Sequence, residues 1–352
     1  MNYEQSILTA KTLIESETLE NPHVTCIVEW ENANALERDA ARQFLDGIGK
    51  RLIEFAKTSN LSTEILLVFD DEVSENDLRE DIAACPSLEG DQLPVRLLYT
   101  PGATYYEKKG LAAKHSLAEI LLYGDSDCDF VPGWIEALTG PILRDEADMC
   151  RGATQAQMED GIIPIASAIG WFFSTPSARD PLQKKMVDRF FANNFAIRRS
   201  VMETVPLPRL AGSRTSGGPW IKRLNDAKVR VKHVPEAVAR HKQYDNFGDL
   251  MKRAWLLGAD RDMANAIAGR RRSTRILRAL RTYFSLTFLF LHRFAKVAPE
   301  YVKILHLLPV LFIGFIFQFA AATSQLKSAM TTSLSVEKND YDELLKVAKV
   351  ST

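Results

Sequence analysis

The run Tyr123-Gly124-Asp125-Ser126-Asp127-Cys128-Asp129 directly follows an apolar stretch at 120–122. Two carboxylates one residue apart, at the end of a buried strand, can share a divalent ion with a diphosphate. Mg2+ and Mn2+ take oxygen ligands, often one or two carboxylates completed by phosphate oxygens. Any acidic loop can hold an isolated D-x-D, so its position after a buried strand is what gives it meaning. Two earlier apolar runs end in the same way. Glu29-Trp30-Glu31-Asn32 follows the first, and Asp70-Asp71-Glu72 with Ser74 follows the second. Asn32 and Ser74 would also suit helix N-caps, which would explain one such loop. Three successive strand ends bearing acid or amide groups point to a shared pocket, because ligands of open α/β sheets gather at the carboxyl ends of the strands.

Short runs rich in Val, Ile and Leu must position these groups. They lie at 24–30 (VTCIVEW), 64–70 (EILLVFD), 95–100 (VRLLYT) and 119–125 (EILLYGD), and each reads as a central strand of a parallel sheet. Between them, 35–57 places Leu36, Ala40, Phe44, Leu45, Ile48, Leu52 and Phe55 on one helical face, and 75–84 and 107–118 read as shorter crossovers. The alternation predicts an α/β fold, with an open, mostly parallel, doubly wound sheet and helices on both faces. Residues 149–265 are less regular. A strand is expected at 149–154, a loop at 161–176, a helix near 182–192, and a helix-to-strand unit ending at 229–233.

The 352 residues carry 44 Lys+Arg and 45 Asp+Glu, a net charge of −1, with 46% hydrophobic and 25% charged residues. This composition excludes a disordered or collagenous chain, and the balance excludes a chain-wide basic surface for nucleic acid. The balance is nonetheless a sum of unlike parts: −18 over residues 1–160, +9 over 161–267 and +8 over 268–303. Cys26, Cys85, Cys128 and Cys150 have no short spacing and read as buried, reduced thiols. The first 20 residues carry acids and lack an apolar core, so no signal peptide is expected there.

Residues 270–281 are Arg-rich, 283–291 are strongly apolar, and 304–323 hold no formal charge. Twenty helical residues span about 30 Å, enough to cross a bilayer core, although a buried core helix has the same composition. Lys303 and Lys327 flank the stretch. The expectation is a basic interfacial helix and a transmembrane segment over 266–325, then a polar tail over 326–352. The preceding positive charge places the bulk of the chain on the cytoplasmic side of the cell's inner membrane. Insertion of 283–291 as well would return the tail to the cytoplasm.

The order strand–E-W-E-N, strand–D-D-x-x-S, a Lys/Gly segment and strand–D-S-D resembles family 2 glycosyltransferases of the GT-A fold. The likeness continues through 130–138 (FVPGWIEAL), Cys150-Arg151-Gly152, 191–199 (FANNFAIRR) and 229–241 (VRVKHVPEAVARH), covering roughly residues 22–260. It implies one GT-A domain over 1–265, with a nucleotide-binding half at about 22–150 and an acceptor half at about 151–265. The implied activity is metal-dependent, inverting transfer from a nucleotide-diphosphate sugar, with Mg2+ or Mn2+, to a glycan or other acceptor, which the basic segment and apolar helix would make lipid-linked or membrane-proximal. By resemblance, Asp127 is the principal metal ligand, and Asp125 meets the ribose or the metal through water. Asp70 contacts the base, and Glu29 and Asn32 hold the nucleoside. Lys108 and Lys109 approach the base or diphosphate, and His241 helps hold the metal or diphosphate, although a surface histidine is an equal reading.

The chain also departs from the family. Inverting members carry an E-D pair whose Asp is the general base, but the corresponding stretch here is Ser213-Arg214-Thr215-Ser216-Gly217-Gly218-Pro219-Trp220, and Q-x-x-R-W is absent too. A base must reach the hydroxyl it deprotonates. So Asp180, Asp188 or another acid substitutes, or the acceptor is already ionised, as a phosphate is, or no transfer occurs. Arg198 and Arg199, in the basic part of the chain, are the preferred pair for the leaving group or acceptor, against a solvated or ion-paired face. Two alternatives remain: a GT-A-like protein that binds nucleotide-sugar or scaffolds a membrane assembly without transfer, and, more weakly, a nucleotidyltransferase. The latter lacks its Gly-rich basic loop, since 28–35 contains neither Gly nor Lys.

Overall fold

The computed structural model describes residues 11–14, 21–30, 38–90, 92–184, 189–207, 217–267 and 270–331. Asn32, Asp188, the stretch 208–216 and the tail from 332 onward lie outside them. The chain divides into two compact units that interleave along the sequence, where consecutive halves were expected. The first takes Met1–Thr154, Phe190–Arg209 and Ser216–Arg240, and the second Gln155–Arg189, Leu210–Thr215 and His241–Thr352.

In the first unit, β1 (Lys11–Ile14), β2 (Val24–Glu29), β3 (Thr63–Phe69), β4 (Val95–Tyr99) and β5 (Ile120–Asp125) alternate with α1 (Arg38–Ser59), α2 (Glu75–Ala83) and α3 (Tyr105–His115). Then follow β6 (Cys128–Phe130), α4 (Trp134–Leu143) and β7 (Met149–Ala156). After α5 (Ile162–Gly170) of the second unit come β8 (Asn194–Arg198), α6 (Arg199–Thr204), α7 (Gly217–Asp226) and β9 (Val231–His241). The nine-stranded sheet has the order β1-β4-β3-β2-β5-β8-β7-β9-β6. Strands β4, β3, β2 and β5 are mutually parallel. β1 is antiparallel to β4, β8 to β5, and β7 to β8, so the sheet is mixed.

The four parallel strands are buried on both faces, and alternate residues feed two cores. Cys26, Val28, Ile65, Leu67 and Leu122 pack with α1, α2 and α4, through Leu45, Ile48, Leu52, Leu78 and Leu138. Ile27, Leu66, Val68, Leu121 and Tyr123 pack with α3 and α7, through Leu111, Ala112, Trp220 and Leu224. A period of two with apolar residues on both sides forces a helical layer onto each face. Hence the open α/β architecture with helices on both faces. All four cysteines are buried and form no disulfide. Burial pushes the Cys85 thiol up to about 11, so it is not a nucleophile.

The second unit contains α5, α8 (Phe247–Ile267), α9 (Arg272–Tyr301) and α10 (Leu307–Thr331), which pack on one another. Here the structure departs from the expectations. The loop expected at 161–176 contains α5, whose Ile165, Ala166 and Ile169 are buried among Phe290, Val297 and Val310. Of the helix expected near 182–192, residues 185–188 lie outside the described residues, and the described ones carry no α-helix. The basic stretch and the apolar stretch after it form one helix, α9, because no Gly or Pro interrupts 272–298. The segment Ile304–Thr331 is long and apolar enough to cross a membrane, with a mean hydropathy of 2.2 over its most apolar 18 residues.

Candidate active site

The parallel direction of β2, β3 and β5 brings their carboxyl ends to one edge. Glu29 and Asp125 are register partners on β2 and β5, and Val68, beside Glu29 on β3, lies two residues before Asp70. Neighbouring strands lie about 4.8 Å apart, so the three carboxylates share one edge. Glu29, Asp70 and Asp125 are all buried. Asp127 follows in the turn to β6 and is half-buried. Gly124 has to be glycine, because a Cβ there would lie 2.7 Å from the Phe130 ring.

Helix α3 supplies the counter-charges. Lys108 and Lys109 are each 1% exposed. Successive helical residues point about 100° apart, and so the two neighbours serve different strands. Lys108 pairs with Asp70 and lies 3.9 Å from Glu29 Oε1. Lys109 Nζ donates to Asp125 Oδ1 at 2.6 Å. The Tyr105 hydroxyl donates to Asp125 Oδ2 at 2.7 Å, and its ring lies 4.5 Å beneath the Lys109 ammonium. Burial, then the negative charge of Asp125, holds the Tyr105 phenol well above its ordinary range, so it remains a donor. Asp70 Oδ1 also accepts from the Glu72 amide at 3.0 Å. The lysines expected to approach the donor therefore act as buried partners of the strand-end carboxylates.

Tyr105 was not singled out from the sequence. Its signal is the spacing Tyr105, Lys108, Lys109, which puts all three on one face of α3 at i, i+3 and i+4. The Lys109→Met variant tests this arrangement. Without the ammonium, Asp125 loses one of its two side-chain partners, so any ligand that the oriented carboxylate contacts should bind on the order of tenfold more weakly than to wild type. Donor titration reads this, and an unchanged affinity contradicts it.

A divalent ion fits this edge only in part from protein atoms. Among the described residues no group of three His, Cys, Asp or Glu side chains could hold a metal. Both Asp125 oxygens are engaged, whereas the neighbouring Ser126 Oγ is buried without a hydrogen-bond partner. One principal carboxylate, Asp127, with the remaining positions filled by a diphosphate and water, is a donor set that Mg2+ and Mn2+ accept.

Arg198 and Arg199 are not brought to this edge. Because β8 runs antiparallel to β5, Arg198 pairs with Ile120, the first residue of β5, five positions from Asp125 and on the order of 16 Å away. Its guanidinium donates to Glu119 Oε1 at 2.6 Å, the Ile142 carbonyl at 2.7 Å and Asp145 Oδ1 at 3.1 Å. Arg199 donates to the Ala118 carbonyl at 3.0 Å and Glu203 at 2.7 Å. The same edge holds the buried Arg96–Glu64 pair, bonded further to Thr25 and the His115 carbonyl. These are structural ion pairs, which corrects the role expected of the two arginines. Arg198→Ala should lower stability by only about 0.5–1.5 kcal/mol, since Glu119 and Asp145 are solvent-exposed, Asp145 keeps Arg230 and the Ile142 carbonyl keeps the Asp145 amide, and leave nucleotide binding unchanged. Chemical denaturation with parallel calorimetry separates the two.

His241 belongs to the second unit. Its Nδ1 lies 2.6 Å from the Lys242 carbonyl oxygen and its ring 4.8 Å from that of Phe173. Asp180, a candidate base, is also there, and both its oxygens are taken. They accept from Arg293 at 2.8 and 3.1 Å, from Thr175 N and Oγ1, and from Leu182 N. Burial raises its pKa, but the Arg293 bonds and charge outweigh this and hold the carboxyl below its ordinary value. Such an acid does not accept a proton from an acceptor hydroxyl.

No family model matches the sequence, and no curated protein matches it. Several solved structures resemble the fold at low identity. A mannosyltransferase from Pyrobaculum calidifontis, in complex with GDP-Man and Mn2+, is 14% identical over 99% of this chain and 86% of its own, with a TM-score of 0.45. The mannosyl-3-phosphoglycerate synthase of Rubrobacter xylanophilus is 17% identical over 71% and 76%, with a TM-score of 0.46. The glucosyl-3-phosphoglycerate synthase of Mycobacterium tuberculosis, solved with Mn2+, UDP and glucosyl-3-phosphoglycerate, is 14% identical over 69% and 79%, again at 0.46.

Proposed function

We propose that the first unit binds a nucleotide-diphosphate sugar at the carboxyl edge of β2, β3 and β5 and transfers the sugar to an acceptor at the membrane surface. The observation that carries this reading is the convergence of Glu29, Asp70 and Asp125, with Asp127 beside them, on one sheet edge backed by Lys108, Lys109 and Tyr105. Asp70 and Glu29 receive the nucleoside, and Lys108 fixes their carboxylates in place. Lys109 and Tyr105 hold the Asp125 side chain in a fixed orientation on the ribose side. Asp127 holds the divalent ion, which when bound neutralises charge on the leaving diphosphate. Inversion at the anomeric carbon, and membership of glycosyltransferase family 2, follow the sequence resemblance.

The acceptor class is part of the same proposal and is supported by the state of one candidate base and by the sequence of the segment that would hold another. Asp180 is saturated by Arg293, and the segment where the family carries its base offers no carboxylate. An acceptor that is already ionised, such as a lipid-linked phosphate, needs no deprotonation. The same observation favours one alternative, a protein that binds the donor without transferring it. Donor turnover in the absence of acceptor separates them. The transferase reading expects slow, metal-dependent release of nucleoside diphosphate, lost in the Asp127→Ala variant, and tight donor binding with no release at any enzyme concentration favours the alternative.

A further inference from the structure

The second unit leaves a broad apolar surface uncovered. Along α9, Leu277, Leu280, Phe284, Phe288 and Leu291 are exposed, with Phe284 and Phe288 at 72% and 74%. Their spacing of three and four keeps them on one stripe of the helix. Along α10, Leu308, Phe312, Phe315 and Phe319 form a second exposed stripe with the same spacing, and Ile304 and Leu305 continue it just before the helix. The Tyr283 and Phe319 rings meet edge to face at 6.0 Å, and Arg272 donates to the Met330 carbonyl, so the helices lie side by side and antiparallel. A contiguous apolar face of this kind marks a binding surface rather than ordinary exposed residues.

Its charge border says what covers it. At 100° per residue, Arg278, Arg281 and Lys296 fall on one flank of the α9 stripe, and all three are exposed, as is Lys303 after the helix. Only one acidic residue, Glu300, occurs between 268 and 303, and it pairs with Arg179 at 3.3 Å. Aromatic and Leu side chains flanked by unpaired-sign basic charge match an anionic bilayer surface, with the lysines and arginines reaching the headgroups.

The opposite face of α10, with Val310, Gly314, Phe317, Ala321, Gln325 and Ala329, is packed against the protein. A Cβ on Gly258 of α8 would lie 2.0 Å from the Ala321 carbonyl oxygen, and one on Gly314 would lie 2.2 Å from the Phe290 ring of α9. Gln318 donates to the Gly170 carbonyl at 2.6 Å, Ser324 to the Trp255 carbonyl at 2.6 Å and Ser328 to Asp262 at 2.8 Å. To cross a bilayer in this arrangement, α10 would have to carry its neighbours with it. Those neighbours expose Arg278, Arg281, Lys296 and Lys252, charges that a hydrocarbon core strongly disfavours. The apolar composition of 304–323 thus has two sources, a packed face and a single outward stripe.

We propose that α9 and α10 lie in the plane of an anionic membrane surface, with the Phe284–Phe288 and Leu308–Phe319 stripes dipping into it, and that α10 does not span the bilayer. This deepens the membrane-surface part of the reading above and is independent of the donor site. The full-length protein should float with vesicles of phosphatidylcholine containing about one-third phosphatidylglycerol, and far less with phosphatidylcholine alone. Two exposed substitutions, Phe284→Glu with Phe312→Glu, should weaken vesicle binding at least about tenfold while thermal unfolding and donor binding stay as in wild type. Arg278→Gln with Arg281→Gln should weaken binding to the anionic vesicles only. The native cysteines are buried, so single Lys303→Cys and Lys327→Cys variants report the two ends of the helix. In sealed vesicles with protein added from outside, an impermeant maleimide should label both. Protection of one end but not the other overturns the in-plane arrangement in favour of a span. Absence of vesicle binding, with a dimer that Phe284→Glu dissolves, assigns the face to a second copy of the chain and overturns the proposal. Loss of donor binding with membrane binding intact bears on the sugar-transfer reading alone.

Discussion

Asp127→Ala should weaken metal-dependent binding of a nucleotide-diphosphate sugar on the order of a hundredfold or more, with little change in stability. The side chain is half-buried in the turn after β5, outside the two hydrophobic cores, so its removal leaves no cavity in them. The large effect on binding follows from the donor set. Asp125 is committed to Lys109 and Tyr105, so in the proposed site Asp127 would carry the protein's main share of the charge facing the ion. Loss of an ion that neutralises a diphosphate is worth several kcal/mol. Calorimetric titration with Mn2+ and with a chelator reads the two components separately. Equal affinity of the variant and the wild type in Mn2+ removes Asp127 from the site.

Arg293→Ala should cost about 3–5 kcal/mol of stability in the second unit, the usual result of breaking a buried ion pair. Arg293 is 1% exposed and donates to Asp180 and to the carbonyls of Ile169, Trp171 and Phe173. Its loss strands a buried carboxylate and three acceptors together. The pH dependence gives a second readout. In wild type the Asp180 pKa lies below its unfolded value, so its contribution is present above the ordinary carboxylate range and fades as pH falls through the folded pKa. Without Arg293, burial dominates and the folded pKa rises above the unfolded one. The variant should then gain stability as pH falls toward the ordinary carboxylate value, the reverse of wild type. Denaturation at neutral and mildly acidic pH tests this, and a deficit that is small or constant across pH contradicts it.

The strands and their acidic ends were legible because both leave local marks. A fully buried parallel strand is a short apolar run, and 24–30, 64–70, 95–100 and 119–125 became β2 to β5 with shifts of a residue or so at their ends. The same runs end in Glu29, Asp70 and Asp125, which the common strand direction places together. The direction of β8 was not legible. Asn194–Arg198 looks the same in either orientation, and running antiparallel to β5 it carries Arg198 and Arg199 to the opposite edge. Charge counting along the chain could not detect that reversal. Nor could it pair Lys108 with Asp70 and Lys109 with Asp125, since those partners depend on where α3 crosses the strand ends. The apolar stretch at 304–323 was read by composition alone. Its one-sided exposure depends on contacts with α8, α9 and α5 that leave no periodic signature in a segment without charges.

The carboxyl edge of β2, β3 and β5 is proposed as a metal-assisted nucleotide-sugar site. The most direct measurement is calorimetric titration of the full-length wild-type protein with UDP-, GDP-, ADP- and dTDP-linked hexoses, each in Mn2+ and in chelator. Saturable binding of at least one of these donors in Mn2+, and its loss in chelator, is the expected result. Binding of none of them in Mn2+, or binding unaffected by removal of the metal, contradicts it.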